Sequence, residues 1–179
     1  MLYLIPARCL LGHLPLSGAL KTFSPRLYAF YHPFVQSIRS GDPGLYHRLV
    51  NENEPVLLKL GIFLAMERIK TLAIRCLFRK VWLIMGKPTR LAFRDFETAC
   101  SLDPWEDVLD LMDTDTSANK ENVIHRQVVP EAVECLLANQ IAQGWIRGYL
   151  SREKQMVVLS KVDPFPSLSK LNVSLFSQS

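Results

Sequence analysis

Apolar residues after Pro130 recur at helical spacing and predict one amphipathic helix. Val133, Leu137 and Ile141, together with the adjacent Leu136, fall on a single face of this helix. Pro130 suits its first position, where the missing N–H is not needed. Gly144 favours its end, because glycine readily takes the left-handed conformation of a C-terminal cap.

Two short runs after this helix predict a β-hairpin. Residues 145–150 and 155–160 are rich in β-branched and aromatic side chains, and the polar residues 151–154 between them predict a turn. A helix that leads directly into a two-stranded hairpin is typical of the second half of a winged-helix module. Two further helices are therefore expected upstream.

The segment from residue 56 to residue 85 has apolar residues at helical spacing and supplies the first of these helices. Thirty helical residues would span about 45 Å, so a break is expected near Gly61 or around Arg68. Further helical patterns separated by short turns lie nearer the start of the chain, at residues 2–11, 28–38 and 45–53. Paired helices with short turns are typical of a helical solenoid.

The breaker at residues 87–89 is followed by a pattern that predicts the middle helix of the module. Leu91, Phe93 and Phe96 form its apolar side, and it is expected to end near Cys100. The connection at about 101–129 is too long for an ordinary loop in a compact domain. It is rich in carboxylates, and we predict a solvated, partly disordered acidic insertion.

Together these patterns predict a mainly α fold, in which a helical-repeat (solenoid-like) layer precedes a winged-helix module with a small antiparallel β-hairpin. The predicted boundaries are 1–60 for the helical layer, 61–166 for the winged-helix module with its acidic insertion, and 167–179 for a tail. No run of 18 or more apolar residues occurs, so no membrane span is expected.

Positive charge is concentrated in one part of a chain whose net charge is only +4. Eight cations and no acid occur from residue 68 to residue 94: Arg68, Lys70, Arg75, Arg79, Lys80, Lys87, Arg90 and Arg94. Separations of seven and four residues place Arg68, Arg75 and Arg79 on one helix face. Together with the basic residues of the hairpin, they could form a surface that attracts phosphate without reading sequence. A solvated helix face is an equally good interpretation of the same charges.

Other chemical motifs do not predict an enzyme, a metal site or a cofactor. Cys9, Cys76, Cys100 and Cys135 are widely spaced, with no C-x-x-C pair, and predict four buried, reduced thiols. The histidines share no ligand spacing, and no G-x-S-x-G nucleophile motif is present.

Three runs of the sequence resemble the PCI-domain family: "CLLGHLPLSGAL", "GIFLAMERIKTLAIRCLFRKVWLI" and "VECLLANQIAQGWIRGYLSREKQMVVLSKVDPFP". Within it they resemble the branch of PCI domain-containing protein two and signalosome subunit twelve-like proteins. The resemblance covers about residues 1–100 and 129–170. The acidic insertion and the residues after Leu171 depart from it. Members of this branch have further helical repeats, so the resemblance implies a C-terminal part.

The resemblance implies a non-catalytic scaffold subunit of a nuclear complex that couples transcription to mRNA export. Such subunits pair with a larger PCI-like scaffold subunit and a small acidic protein, and the joined winged helices bind RNA or DNA. A location in the nucleus, associated with nuclear pores, is implied, with a cytoplasmic pool also allowed. No cofactor is implied.

Position within the winged helix implies two sets of functional residues. The implied nucleic-acid-binding residues are Arg75, Arg79, Lys80, Lys87, Arg90, Arg94, Arg147, Arg152 and Lys154. The implied partner-binding residues are Trp145, Ile146, Tyr149 and Val157. The alternative for the second set is that these side chains fill the core of the module itself, which we favour for Trp145.

Two other functions are compatible with the same fold. One is a protein–protein scaffold of a signalosome-like or proteasome-lid-like complex that does not bind nucleic acid. The other is a sequence-specific transcription factor, which we disfavour because the helix expected to enter the groove has no Arg or Lys to contact guanine. Its polar residues are Glu131, Glu134, Asn139, Gln140 and Gln143.

Overall fold

Helices form most of the fold in the computed structural model, which describes residues 2–16, 18, 21, 22, 24–102, 105, 128 and 130–167. In chain order the elements are α1 (Leu4–Leu10), α2 (Pro25–Ser40), α3 (Pro43–Glu52), α4 (Glu54–Lys59), α5 (Phe63–Ile84), β1 (Arg90–Ala92), α6 (Phe93–Ser101), α7 (Pro130–Ala142), β2 (Gly148–Ser151) and β3 (Met156–Leu159). The predicted fold class, mainly α with a small antiparallel sheet, is confirmed. Most of the predicted acidic insertion and tail lies outside the described residues, and the domain boundaries stay a prediction.

Helices α1 to α4 pack on the first half of α5 and form the helical layer. Among the described residues, its core contains thirteen that are buried: Ile5, Cys9, Tyr31, Phe34, Ile38, Tyr46, Val50, Leu57, Ile62, Met66, Ile69, Leu72 and Ala73. The two buried tyrosines also fix the layer through hydrogen bonds. Tyr46 Oη donates to Met66 O at 2.8 Å, and Tyr31 Oη donates to Leu2 O at 2.8 Å. The predicted break in the long helical segment occurs at Gly61, whose φ is 68°, while α5 continues through Arg68.

Gly41 allows α2 to end in close contact with α5. It caps α2 with a φ of 60°, a conformation that strongly favours glycine. An added Cβ would lie 2.8 Å from Leu77 N and 2.9 Å from the carbonyl carbon of Cys76, both backbone atoms of α5. The close packing of the two helices therefore depends on the absence of a side chain here.

We expect Gly41→Ala to destabilise the protein by about 2 kcal/mol or more. The left-handed conformation alone costs a non-glycine residue about 1–2 kcal/mol, and the contact with the α5 backbone adds to that cost. Urea unfolding followed by circular dichroism measures the change. Gly61→Ala is the matched control, because it has the same strain but no atom within 4 Å of the added Cβ. An equal loss in both variants would contradict the close-contact argument.

The second half of α5, β1, α6, α7 and the β2–β3 hairpin form a winged helix. Its sheet has the order β1–β3–β2, with both pairings antiparallel. The core that joins these elements includes Phe78 of α5, Phe96 of α6, Val133 and Leu137 of α7, and Val157 of β3. Gly144 lies two residues after the end of α7 and has a φ of 75°, the left-handed conformation that its position in the sequence predicted.

Strand β1 is the element that the sequence pattern missed. Leu91 was expected on the apolar side of a helix, but it lies in this three-residue strand opposite Val157. Both residues are buried. The sequence therefore predicted correctly that Leu91 is a core residue, but it predicted a helix where the backbone is a strand. Strand β2 begins at Gly148, three residues later than the predicted start at residue 145.

The predicted burial of all four cysteines is wrong for Cys135, which is exposed on α7. Cys76 is only partly buried, whereas Cys9 and Cys100 are buried. Burial raises the pKa of the Cys9 thiol to about 11 and that of the Cys100 thiol to about 12. These two thiols are thus kept protonated and unreactive near neutral pH.

Candidate nucleic-acid interface

Arg75 lies inside the protein and does not belong to an accessible basic surface. Its side chain projects from α5, and only 4% of the residue is exposed. Its Nε donates a hydrogen bond to Trp145 O at 3.3 Å, and Nη2 donates to Pro166 O. Burial lowers the pKa of the Arg75 guanidinium. The prediction that Arg75 binds nucleic acid at the surface is therefore corrected, since this residue ties α5 to the segments that follow α7 and β3.

The predicted stripe of Arg68, Arg75 and Arg79 does follow one side of α5. Arg75 and Arg79 line the same groove. Arg68 lines a neighbouring hollow together with Trp145, the residue whose carbonyl accepts the bond from Arg75. The stripe runs along the junction between the helical layer and the winged helix, and its middle member is buried there.

The other eight cations implied as nucleic-acid contacts are all exposed: Arg79, Lys80, Lys87, Arg90, Arg94, Arg147, Arg152 and Lys154. The first two lie on α5, where they line a groove together with Arg75. The remaining six lie around the three-stranded sheet, at its two ends. We call these six residues the wing cations.

Three wing cations lie at the end of the sheet that contains the hairpin turn. Phe93 N donates to Gln155 O at 3.0 Å, which places the start of α6, with Arg94, beside this turn. Arg152 and Lys154 belong to the turn itself. Arg152 Nε lies 3.3 Å from Glu134 Oε1 of α7, so part of its charge is already paired.

The other three wing cations lie toward the opposite end. Leu159 N donates to Thr89 O and Ser160 N donates to Arg147 O, each at 2.8 Å. These bonds place Arg147 and the turn that contains Lys87 beside the end of β3. Arg90 pairs with Val158 in the register of β1 and β3. The wing cations thus come from the chain after α5 and from the hairpin with the residue before it.

The predicted partner surface is only partly accessible. Ile146 is 2% exposed and Val157 is 0% exposed, and both belong to the core of the winged helix. The prediction that these two bind a partner is corrected, because no partner could reach them without unfolding the module. Trp145 is half-buried and packs against the core of the helical layer, whereas the core-filling alternative had placed it in the core of the winged-helix module itself. Tyr149 differs from the other three because it is 63% exposed.

Helix α7 does not present its polar residues as a base-reading surface. Gln140 is 2% exposed, and its Nε2 donates to Thr71 O of α5 at 2.9 Å. Its amide therefore cross-links two helices. Together with the absence of Arg and Lys from residues 130–142, this placement argues against sequence-specific readout by α7.

The charge pattern along the sequence did not identify Arg39 and Asp163 as site residues. Arg39 lies in the last turn of α2 and Asp163 follows β3, yet both line the groove beside Arg79. Their places in the sequence give no signal, since only the packing of α2 and of residues 163–167 on α5 brings them there.

Among the described residues, no cluster of three or more His, Cys, Asp or Glu could hold a metal ion, and no helix is long and apolar enough to cross a membrane.

Comparison with known proteins identifies the family. The PCI domain family matches residues 50–161. Protein CSN12 homolog of Schizosaccharomyces pombe is 39% identical over 165 residues, which is 92% of this chain and 34% of that protein.

PCI domain-containing protein 2 of Xenopus laevis is 30% identical over 169 residues, 94% of this chain and 36% of that protein. The Drosophila melanogaster homolog of PCI domain-containing protein 2 is 31% identical over 169 residues, 94% of this chain and 37% of that protein. The chain thus spans about a third of the length of these relatives. It belongs to the PCI-domain family and is related to PCI domain-containing protein 2 and to the CSN12 homolog.

Proposed function

We propose that this chain is a non-catalytic adaptor in a nuclear complex that couples transcription to mRNA export, and that its winged helix binds the backbone of RNA or DNA without sequence preference. The observation that carries the proposal is the exposure of eight of the nine implied cations, six of them around one small sheet. Exposed Lys and Arg side chains bind nucleic acid chiefly by releasing condensed counterions from phosphates.

Two features of the wing cations favour binding to the backbone over readout of bases. They lie on turns, on the edge strand β1 and at the start of α6, at both ends of the sheet, where they can follow phosphates along a strand. The helix that would enter a groove, α7, contributes no cation and uses the amide of Gln140 internally. Phosphate contacts of this kind fix position and supply affinity, but they do not distinguish sequences.

Partner binding is proposed at exposed apolar residues of the hairpin and of the segment that follows it. Tyr149 is 63% exposed and Val162 is 76% exposed, which leaves apolar area available to a larger PCI-like scaffold subunit. A small acidic subunit would complement the basic residues along α5. We place the complex in the nucleus, associated with nuclear pores, and allow a cytoplasmic pool.

Neutralising three wing cations should weaken binding of single-stranded RNA or DNA by about 100-fold at 0.1 M salt. The variant is Arg90→Gln, Arg147→Gln and Lys154→Gln combined. Each lost phosphate contact should reduce the magnitude of the slope of log K against log salt by about 0.7, so the loss of three contacts should reduce it by about 2. Fluorescence anisotropy of a labelled oligonucleotide over a range of salt concentrations measures both quantities.

The matched control removes three exposed cations from the helical layer, by Lys21→Gln, Arg26→Gln and Lys59→Gln. It changes the net charge equally but should leave the salt slope unchanged. An equal loss of affinity in both triple variants would show that net charge alone attracts the oligonucleotide, and would refute the proposed interface.

A scaffold of a signalosome-like or proteasome-lid-like complex is the second candidate, and the exposure of Tyr149 and Val162 favours it equally. In that case the basic residues would meet an acidic partner chain. Recovery of partners from nuclear extract, with and without nuclease, separates the two functions. Nuclease-resistant recovery of signalosome subunits, together with no oligonucleotide binding by the purified chain, would favour this alternative.

A further inference from the structure

A basic groove of about 600 Å³ lies between α2, α5 and the segment after β3. We call it the junction groove. Its lining residues are Arg39, Arg75, Cys76, Arg79, Lys80, Asp163, Phe165 and Ser167. Its volume is within the range of about 300–1,000 Å³ that is typical of small-molecule sites.

Three cations of the junction groove are held in place by hydrogen bonds to backbone carbonyls. Arg39 Nη2 donates to Pro15 O at 2.9 Å, and Lys80 Nζ donates to Ser40 O at the end of α2. Arg75 donates to Pro166 O and so holds the segment after β3 against α5. All three acceptors are neutral carbonyls, so these bonds orient the positive charges without neutralising them.

Positive charge in the groove exceeds what its acid can compensate. Asp163 is the acidic residue among the lining residues, and its charge acts on Arg75, where it opposes the lowering of the pKa by burial. Arg39, Arg79 and Lys80 form no ion pair within the described part of the chain. Arg79 also forms no hydrogen bond there, which leaves its guanidinium available to a ligand.

We propose that the junction groove binds a compact polyphosphate, meaning a ligand with two or more linked phosphate groups. One phosphate monoester carries about −1.5 to −2 charges at neutral pH, which is less than the charge of the three uncompensated cations. Linked phosphates would match it. The planar guanidinium of arginine commonly binds a phosphate through two parallel N–H groups, and Arg79 would contact one phosphate in this way. Lys80 and Arg39 would act mainly as fixed charges.

This site differs from the proposed wing surface in its residues and in its ligand. The wing cations are spread around a sheet and suit an extended strand, whereas the groove collects cations from α2 and α5 into one concave space. Its linked phosphates could come from a free polyphosphate or from the end of a nucleic-acid strand. The chemistry recognised is the same, and the experiment separates the sources.

Isothermal titration calorimetry of the full chain with sodium tripolyphosphate tests the proposal. We expect binding at 0.1 M salt, and we expect Arg79→Gln to weaken it by about tenfold or more, because the loss of a single charge-assisted hydrogen bond already has an effect of that size. Lys154→Gln is the matched control on the wing and should leave this affinity unchanged. No heat of binding, or equal weakening by the two substitutions, would overturn the assignment.

Asp163→Asn adds a test that loss of structure could not imitate. It removes the acid that opposes an anionic ligand, and Asn tolerates the φ of 48° at this position. Tripolyphosphate should therefore bind severalfold more tightly. Unchanged or weaker binding would contradict the proposed role of the groove.

Competition identifies the source of the phosphates. Displacement of tripolyphosphate by an oligonucleotide with a 5′-triphosphate end, but not by its 5′-hydroxyl form, would assign the groove to strand ends. Failure of both to displace it would assign the groove to a free polyphosphate. The triple variant at Arg90, Arg147 and Lys154 should retain tripolyphosphate binding, so failure of the wing surface and failure of the groove are distinguishable.

Discussion

Arg75→Ala is expected to lower the free energy of unfolding by about 3–4 kcal/mol. The substitution leaves the carbonyls of Trp145 and Pro166 without the donor that each now has, and an unsatisfied buried acceptor costs about 1–3 kcal/mol. In a protein of this size such a loss lowers the thermal midpoint by roughly 6–16 °C. Urea and thermal unfolding followed by circular dichroism measure it.

Arg79→Ala is the matched control, because it removes the same side chain one helical turn further along α5 at an exposed position. We expect a change within about 0.5 kcal/mol, as is usual for surface substitutions. Arg75→Lys should fall between the two, because an ammonium group keeps the charge but does not reproduce both hydrogen bonds of the guanidinium. Equal stability of Arg75→Ala and Arg79→Ala would show that the two carbonyl bonds do not stabilise the fold.

The difference in burial between Arg75 and Arg79 also decides which of the two can be used to test nucleic-acid binding. Charge reversal at both Arg75 and Arg79 would confuse loss of structure with loss of binding, because Arg75 is 4% exposed and Arg79 is exposed. A substitution restricted to Arg79 and the wing cations avoids this problem.

The sequence correctly placed Arg75 on a face with Arg68 and Arg79, but it could not show that this face is covered. Helical periodicity depends only on neighbours a few residues away. The residues that bury Arg75 are distant in sequence, since its hydrogen-bond partners are 70 and 91 residues further along the chain. Burial of a cation is therefore a property of the packing of two modules, which a local pattern does not contain.

The helix and hairpin of residues 130–160 were predictable because their signals are local. A glycine with a φ of 75° follows the helix, and a polar turn separates two apolar runs. Strand β1 was not predictable in the same way. Three residues are too few to show an alternating pattern, and Arg90–Ala92 become a strand because β3 offers them an unpaired edge.

The exposed side of the sheet was the hardest feature to predict. Met156–Leu159 is entirely apolar, so it gives no inward and outward alternation, although Val157 and Leu159 are buried and the other two are half-buried. The same difficulty applies around β2, where the core residue Ile146 lies close in sequence to the exposed Tyr149. Composition alone did not separate the exposed Tyr149 from the residues of the core.

Phe78→Ala should have the largest effect, a loss of about 3–5 kcal/mol of stability. Phe78 lies on α5 and is 0% exposed. Its ring meets that of Phe96 edge to face, with centroids 5.0 Å apart and an interplanar angle of 74°. Truncation leaves a cavity in the core that joins α5 to α6 and α7. Urea unfolding measures the loss, and Phe78→Leu should cost less because it fills part of the space.

The effect should extend beyond the winged helix. Helix α5 contributes Met66 and Ile69 to the core of the helical layer and Phe78 to the core of the winged helix, so one continuous helix belongs to both. Fraying of its second half weakens the support of its first half. Amide hydrogen exchange should therefore quicken in α2 as well as in α6 when Phe78 is truncated. Faster exchange confined to α6 and α7 would show that the two cores unfold independently, despite the helix that they share.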